Sequence, residues 1–237
     1  MYKFIFDVDG TLTPSRATID SSFKHFFIDF CKSNSVTIVT GSDFYKTEQQ
    51  LGKEIVNLVD TVYCCSGNDV WSKGKQIKTN SWKVSDKVKK WLTIQLDNSK
   101  FVLRTGNHIE ERPGSVNFSV VGRNATLKER QLYIQWDEQH RERETITNSF
   151  NDHFSELEAK IGGETGIDIY PLGCDKSQII KDFSTTDKLM FFGDRMDALG
   201  NDYPLKQAIQ DNNIGSCFEV TNWEHTHKIL AVMKVIR

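Results

Sequence analysis

The sequence predicts an α/β protein: a parallel-sheet core split by an inserted α+β unit. Three observations carry this expectation. Short apolar, β-leaning runs alternate with helical apolar stripes over residues 1–79, strands and helices cluster over 80–172, and the alternation returns over 173–237. Alternating strands and helices build parallel sheets through right-handed crossovers. An insertion of roughly 90 residues is large enough to hold its own small core.

In the first block, residues 3–6 read as a strand. Phe23, Phe26, Phe27 and Phe30 recur at i, i+3, i+4 and i+7, one apolar helix face. Residues 36–39 are continuously apolar, as a strand buried on both faces requires. Ser42 is expected to cap a helix that runs to Leu51, with Gly52 at its end. Residues 61–65 read as a third strand.

The inserted block opens with a helix marked by Val88, Trp91, Leu92 and Leu96. Residues 101–105, 108–111 and 116–121 are strand-like. In the last run Val116, Phe118 and Val120 alternate with polar residues, so one face is expected in the core and the other in water. Thr126 and Glu129 form a capping box. Ile146, Phe150, Phe154 and Leu157 predict a further helix, and residues 166–170 a strand. The chain should then re-enter the core with Asp175 capping a helix that carries Ile179, Ile180 and Phe183. A strand at 188–192, another at 217–220 and a helix after Asn222 follow. Hinges are expected near 79–81 and 172–173.

Bulk properties exclude several classes. A net charge of −2 and a pI near 6.3 give no electrostatic footprint for nucleic acid or anionic membranes. The apolar runs are too short for a membrane span. Five cysteines show no CxxC and no zinc-type pairing, consistent with reduced thiols and a cytoplasmic location.

The chemistry concentrates in two acidic clusters, Asp7 and Asp9 in FDVDGTLT and Asp194 and Asp202 in FFGDRMDALGND. Each follows a strand. If those strands are adjacent and parallel, all four carboxylates meet at the carboxyl edge of the sheet, where ligands of open α/β sheets bind. Such a cluster repels itself unless a hard cation neutralises it, and oxygen ligands suit Mg²⁺. In an extended segment Asp7 and Asp9 face the same way. One can attack phosphorus while the other moves a proton. Arg16, Arg112, Arg123 and Arg130 offer forked donors for a second, distant phosphate.

DxDGT resembles the signature of the haloacid dehalogenase (HAD) superfamily, which implies an HAD-like Rossmannoid core with a cap. The resemblance makes Thr40 the hydroxyl that holds the transferring phosphoryl group, and Lys176 the lysine that orients the nucleophile. The segments FDVDGTLTPSR, GSDFYKTEQQLG, ERPGSVNFSVVGR, IGGETGIDIYPLGCDK and FFGDRMDALGND are more specifically similar to the eukaryotic-type α-phosphomannomutase family. That similarity implies interconversion of mannose 6-phosphate and mannose 1-phosphate, with Mg²⁺ and a hexose 1,6-bisphosphate activator. It implies that Arg16, Arg112, Arg123 and Arg130 bind phosphate and sugar, that Asp168 accepts hydrogen bonds from sugar hydroxyls, and that the chain forms a homodimer through the cap.

Departures are informative. Gly166 stands where the family's GGxxSxD carries serine, at a substrate-binding position. The tryptophan of the family's WDK becomes Cys174, while Asp175 and Lys176 are kept. Lys206 and Ala208 stand where the family loop would ligate a second, structural cation. A capped sugar-phosphate phosphatase is therefore the alternative activity. A non-catalytic sugar-phosphate binder is disfavoured, because Asp7, Asp9 and Lys176 are all present.

Overall fold

A computed structural model describes residues 1–235. The final two residues of the expected core segment lie outside the described residues. In chain order, β1 (Tyr2–Phe6), α1 (Ser21–Ser33), β2 (Ser35–Val39), α2 (Phe44–Leu51), α3 (Lys53–Leu58) and β3 (Thr61–Cys64) form consecutive βαβ units. The chain then makes a hairpin of β4 (Asp69–Ser72) and β5 (Lys75–Thr79). A second block holds α4 (Asp86–Asn98), β6 (Ile109–Arg112), β7 (Ser115–Phe118), α5 (Leu127–His140), α6 (Glu142–His153), β8 (Leu157–Gly162) and β9 (Gly166–Pro171). A 3-10 turn at Lys176–Asp182 leads into β10 (Lys188–Gly193), α7 (Tyr203–Asp211), β11 (Gly215–Glu219) and α8 (Trp223–Val235).

The large sheet runs β11-β10-β1-β2-β3-β4-β5, parallel from β11 to β3 and antiparallel through the hairpin. Both faces are covered, as a parallel sheet demands. Phe4 and Phe6 pack edge-on against Phe27 and Phe30 of α1, the stripe read from sequence. On the other face Ile5 and Phe191 meet Ile179, Leu205 and Ile209. Emptying the Phe6 position by Phe6→Ala would cost about 3–5 kcal/mol. The small sheet runs β6-β7-β9-β8, entirely antiparallel, and buries Val116, Phe118, Ile167 and Ile169 against α4 and α6. Among the described residues no helix is long and apolar enough to cross a membrane.

Several local expectations are corrected. Asp43, not Ser42, caps α2: its carboxylate accepts from the Lys46 N–H, while the Ser42 hydroxyl accepts from the Lys46 ammonium. Residues 101–105 form no strand, and Arg104 instead folds back onto nearby carbonyls, including Leu103 O at 3.0 Å. Leu157 belongs to β8 and not to the preceding helix, which stops at His153. The polar side of residues 116–121 is not wet: Asn117 and Ser119 are both buried. The capping box at Thr126 and Glu129 and the Asp175 cap form as read.

Candidate active site

Register places the acids. Phe6 of β1 lies beside Phe192 of β10, and the Asp7 N–H continues the ladder by donating to Phe192 O at 2.9 Å. Asp7 and the Gly193–Asp194 turn therefore leave the sheet side by side. Carboxylate oxygens of Asp7, Asp194 and Asp202 lie within 4.8 Å of one another. Gly10 makes this approach possible, because its φ of +84° suits glycine and a Cβ there would strike the Asp194 carboxylate. Lys176, fully buried, donates to Asp7 Oδ1 at 2.6 Å and to Asp202 Oδ1 at 2.7 Å. The Arg195 N–H donates to Asp202 Oδ2 at 3.0 Å.

The electrostatics follow from crowding. Burial pushes the Asp7 carboxyl up to about 7: the Lys176 ammonium offsets part of this, and repulsion from Asp202 adds to it. Burial, with Asp7 and Asp202 beside it, drives Asp194 well above the ordinary carboxylate range. Burial works against the Lys176 charge, but Asp202 and Asp7 outweigh it and hold the ammonium above its usual value. Three converging carboxylates whose charges are this costly form the donor set a hard divalent cation suits. The residues present thus fit Mg²⁺ held by Asp7, Asp194 and Asp202.

Asp9 departs from its expected place among the metal carboxylates, since its side chain turns the other way. Oδ1 accepts from the Arg16 N–H at 2.7 Å and from Gln50 Nε2 at 2.8 Å, and Oδ2 lies 3.6 Å from Lys46 Nζ. Burial pushes this carboxyl up, yet the Lys46 ammonium and the Arg16 and Gln50 donors hold it below the ordinary range. The contact also pins Arg16, whose φ of 58° is strained for a side-chain-bearing residue. Beside these acids, Thr40 at the end of β2 is buried, and its hydroxyl accepts from the Ser42 N–H at 3.1 Å.

The small sheet forms the opposite wall. Arg112 donates through Nε (2.9 Å) and Nη2 to Glu110, and through Nη1 to Gly41 O at 2.7 Å and Asp168 Oδ1 at 3.5 Å. Every donor group of its fork therefore has a partner. Arg123 Nε lies 3.1 Å from Glu110 Oε2. Arg130 donates to the Thr165 hydroxyl at 2.9 Å, to Glu164 at 3.1 Å and to the Ser15 hydroxyl of the large-sheet side at 3.3 Å. Arg16 Nη1 donates to Arg123 O at 3.2 Å. Burial, with the Arg123 and Arg130 charges nearby, lowers Arg16 to about 10, still cationic at neutral pH. The acids, Thr40, the four arginines, Gly166 and Asp168 all line one pocket except Asp202, which is fully buried behind it.

Comparison with known proteins decides the relationship. The family described as eukaryotic phosphomannomutase matches residues 23–235. The chain belongs to that family. A phosphomannomutase from Dendrobium officinale is 31% identical over 212 residues, covering 86% of this chain and 84% of that protein. One from Solanum lycopersicum is 30% identical over 237 residues, covering 97% and 92%. Among solved structures, the trehalose-6-phosphate phosphatase C-terminal domain of C. albicans superposes with a TM-score of 0.63 at 17% identity, covering 90% of this chain and 74% of that one. An N-terminally truncated IMP-nucleotidase of Plasmodium falciparum gives 0.63 at 14% identity, covering 100% and 71%. At such identities the likeness speaks for the HAD-like fold alone.

Within this phosphomannomutase-family site, sequence reading missed Lys46, Gln50, Asn117, Glu110 and Asn201. Lys46 is the clearest case. It sits in the first turn of α2, directly after the β2 edge that carries Thr40, so its place in GSDFYK was the available signal. Burial pulls it down to about 8, although Asp9 counteracts this. Trp91 of α4 packs within its own chain, edge-on against Phe150 and Phe154 and stacked on His153.

Proposed function

We propose that this chain is a phosphomannomutase that interconverts mannose 6-phosphate and mannose 1-phosphate through a phosphorylated Asp7 and a hexose 1,6-bisphosphate. The observation that carries the reading is a single pocket with two unlike ends. One end is lined by Asp7 and Asp194, with Lys176 and Asp202 fully buried behind them, and the other by Arg16, Arg123 and Arg130. A phosphate mutase needs both: one phosphate reacts while the other is held.

The chemistry follows from these residues. With Asp7 carrying the phosphoryl group, the Asp9 carboxylate takes the proton from the incoming sugar hydroxyl. Its lowered pKa favours the deprotonated start, and Oδ2 is the oxygen not engaged by Arg16 and Gln50. The hydroxyl oxygen bonds to phosphorus, the Asp7–phosphorus bond breaks, and a bisphosphate results. After the sugar turns around, Asp7 attacks its other phosphate and the phosphorus–sugar bond breaks. Asp9 then returns the proton to the departing oxygen, so proton and phosphoryl group both balance over the cycle. Mg²⁺ held by Asp7, Asp194 and Asp202 would withdraw charge from the phosphoryl oxygens. Lys176 neutralises and orients Asp7, and the Thr40 hydroxyl and the Lys46 ammonium stand ready for phosphoryl oxygens.

Arginines suit the distal end because they recognise phosphate geometry whichever carbon bears it. Residues 80–172 form the cap in this reading, closing over the core between hinges near 79–81 and 172–173. The hydrogen bonds from Arg112 to Gly41 and from Arg130 to Ser15 support a closed arrangement. A homodimer through the cap and a cytoplasmic setting belong to the same proposal, the latter supported by five free thiols. A coupled assay on mannose 1-phosphate with bisphosphate present tests the function. Mannose 6-phosphate should accumulate; release of inorganic phosphate without the isomer would favour the phosphatase instead.

A further inference from the structure

Asn117 lies opposite Asp168 in the β7–β9 pairing and, with Gly166 two residues before Asp168, shares one face of the small sheet. All three line the pocket. Asn117 Nδ2 donates to Asp168 Oδ1 at 2.7 Å, which settles the amide orientation, since a carboxylate only accepts. The amide oxygen is therefore turned away from Asp168. It is buried, and it finds no hydrogen-bond partner among the described residues. A desolvated acceptor left unpaired is costly, so its presence in a pocket wall calls for a donor from the ligand.

We propose that Asn117 is a specificity-determining residue whose Oδ1 accepts a hydrogen bond from one ring hydroxyl of the sugar phosphate. This rests on the hexose-phosphate reading and deepens it. An amide oxygen only accepts, so it cannot serve a phosphate dianion; this stretch of wall takes the sugar ring, and the arginines take the phosphate. Asp168 is engaged already, with Arg112 at 3.5 Å and Asn201 at 3.4 Å besides Asn117. It nests where a Cβ on Gly41 would come within 2.8 Å of its carboxylate.

Gly166 makes the arrangement possible. A Cβ there would stand 2.6 Å from Asn117 Nδ2 and 3.2 Å from Oδ1, too close for the amide to keep its position. Glycine at 166 thus gives up a side chain of its own and leaves the hydroxyl-reading role to the neighbouring strand.

The test uses mannose 1-phosphate and its monodeoxyfluoro analogues, in which fluorine can accept but not donate. Wild type should lose about tenfold in kcat/KM with one analogue in which a hydroxyl donor has been removed. Asn117→Ala should lose about tenfold with mannose 1-phosphate and with the other analogues, yet lose nothing further with that one. Gly166→Ala, which displaces the amide without removing it, should show the same analogue-selective pattern. If Asn117→Ala lowers every substrate equally, that one included, it acts only by placing Asp168 and the proposal falls. Wild type that turns over no mannose phosphate at all would overturn the hexose-phosphate reading together with it.

Discussion

Lys176 donates its ammonium to Asp7 Oδ1 at 2.6 Å across 169 positions of sequence, with Lys176 fully buried and Asp7 open only to the pocket. A buried charge this deep survives only with partners, and Lys176 has two carboxylates. The contact ties the end of β1 to the turn that follows β9, joining the first and last thirds of the chain at one point. It also holds in place the oxygen-bearing group proposed to attack phosphorus.

Asp7→Asn should therefore lower kcat by on the order of a thousandfold or more, because an amide is no nucleophile for phosphorus. Substrate affinity, measured by calorimetry, should change by less than about fivefold, since the arginines at the far end are untouched. Wild-type turnover in the variant would show that Asp7 is not the nucleophile.

Lys176→Met leaves Asp7 and Asp202 buried without their ammonium. Breaking a buried pair in this way costs about 3–5 kcal/mol. Urea unfolding should show a matching drop in midpoint, partly recovered by millimolar Mg²⁺ as the cation takes over the neutralising role. A midpoint equal to wild type would mean that the three groups do not share charge as described.

Lys46→Met should raise KM for hexose phosphate by about tenfold with a smaller effect on kcat, the signature of a lost charge-assisted contact to phosphate. Steady-state kinetics on the two variants Lys46→Met and Lys46→Arg separate charge from packing: arginine should restore most of the loss. An unchanged KM in Lys46→Met would remove this residue from the binding site.

Glu110 supplies a pH dependence of stability. Burial raises its carboxyl, but the Arg112 and Arg123 guanidinium groups outweigh that and hold it below the ordinary glutamate value. The native state therefore binds this proton less readily than the unfolded chain. Its contribution is fully present above the ordinary value and is lost as pH falls through the lower native one. The unfolding free energy of wild type should exceed that of Glu110→Gln at neutral pH, and the gap should close only as pH falls below the ordinary glutamate value. A gap that stays constant down through that range would show that the carboxylate is not paired with the arginines.

The sheet edge was legible because parallel strands are apolar on both faces and acids directly after them stand out, as at Asp7 and Asp194. Asp9 was only half legible. Period-two spacing put it beside Asp7, but nothing local announced that the Arg16 N–H and Gln50, 41 residues away, would claim its oxygen. The β4–β5 hairpin was missed for a different reason. Residues 75–79 are exposed throughout and carry no alternation, so pairing with β4 and not patterning makes them a strand. Leu157 fell in step with a helical stripe by coincidence of spacing, although the helix had stopped four residues earlier. Asn117 was read as a solvent-facing position because alternation tells which residues face the core of their own layer. It cannot tell that a second layer will cover the other face.

Phosphoryl transfer through Asp7 is tested by acid-quenching the enzyme after brief exposure to radiolabelled hexose 1,6-bisphosphate and mapping the label. A hydroxylamine-labile phosphate on the peptide that contains Asp7, chased into hexose monophosphate as bisphosphate re-forms, is the result expected. Sustained isomerisation with no label on that peptide, or label that passes only to water, would contradict it.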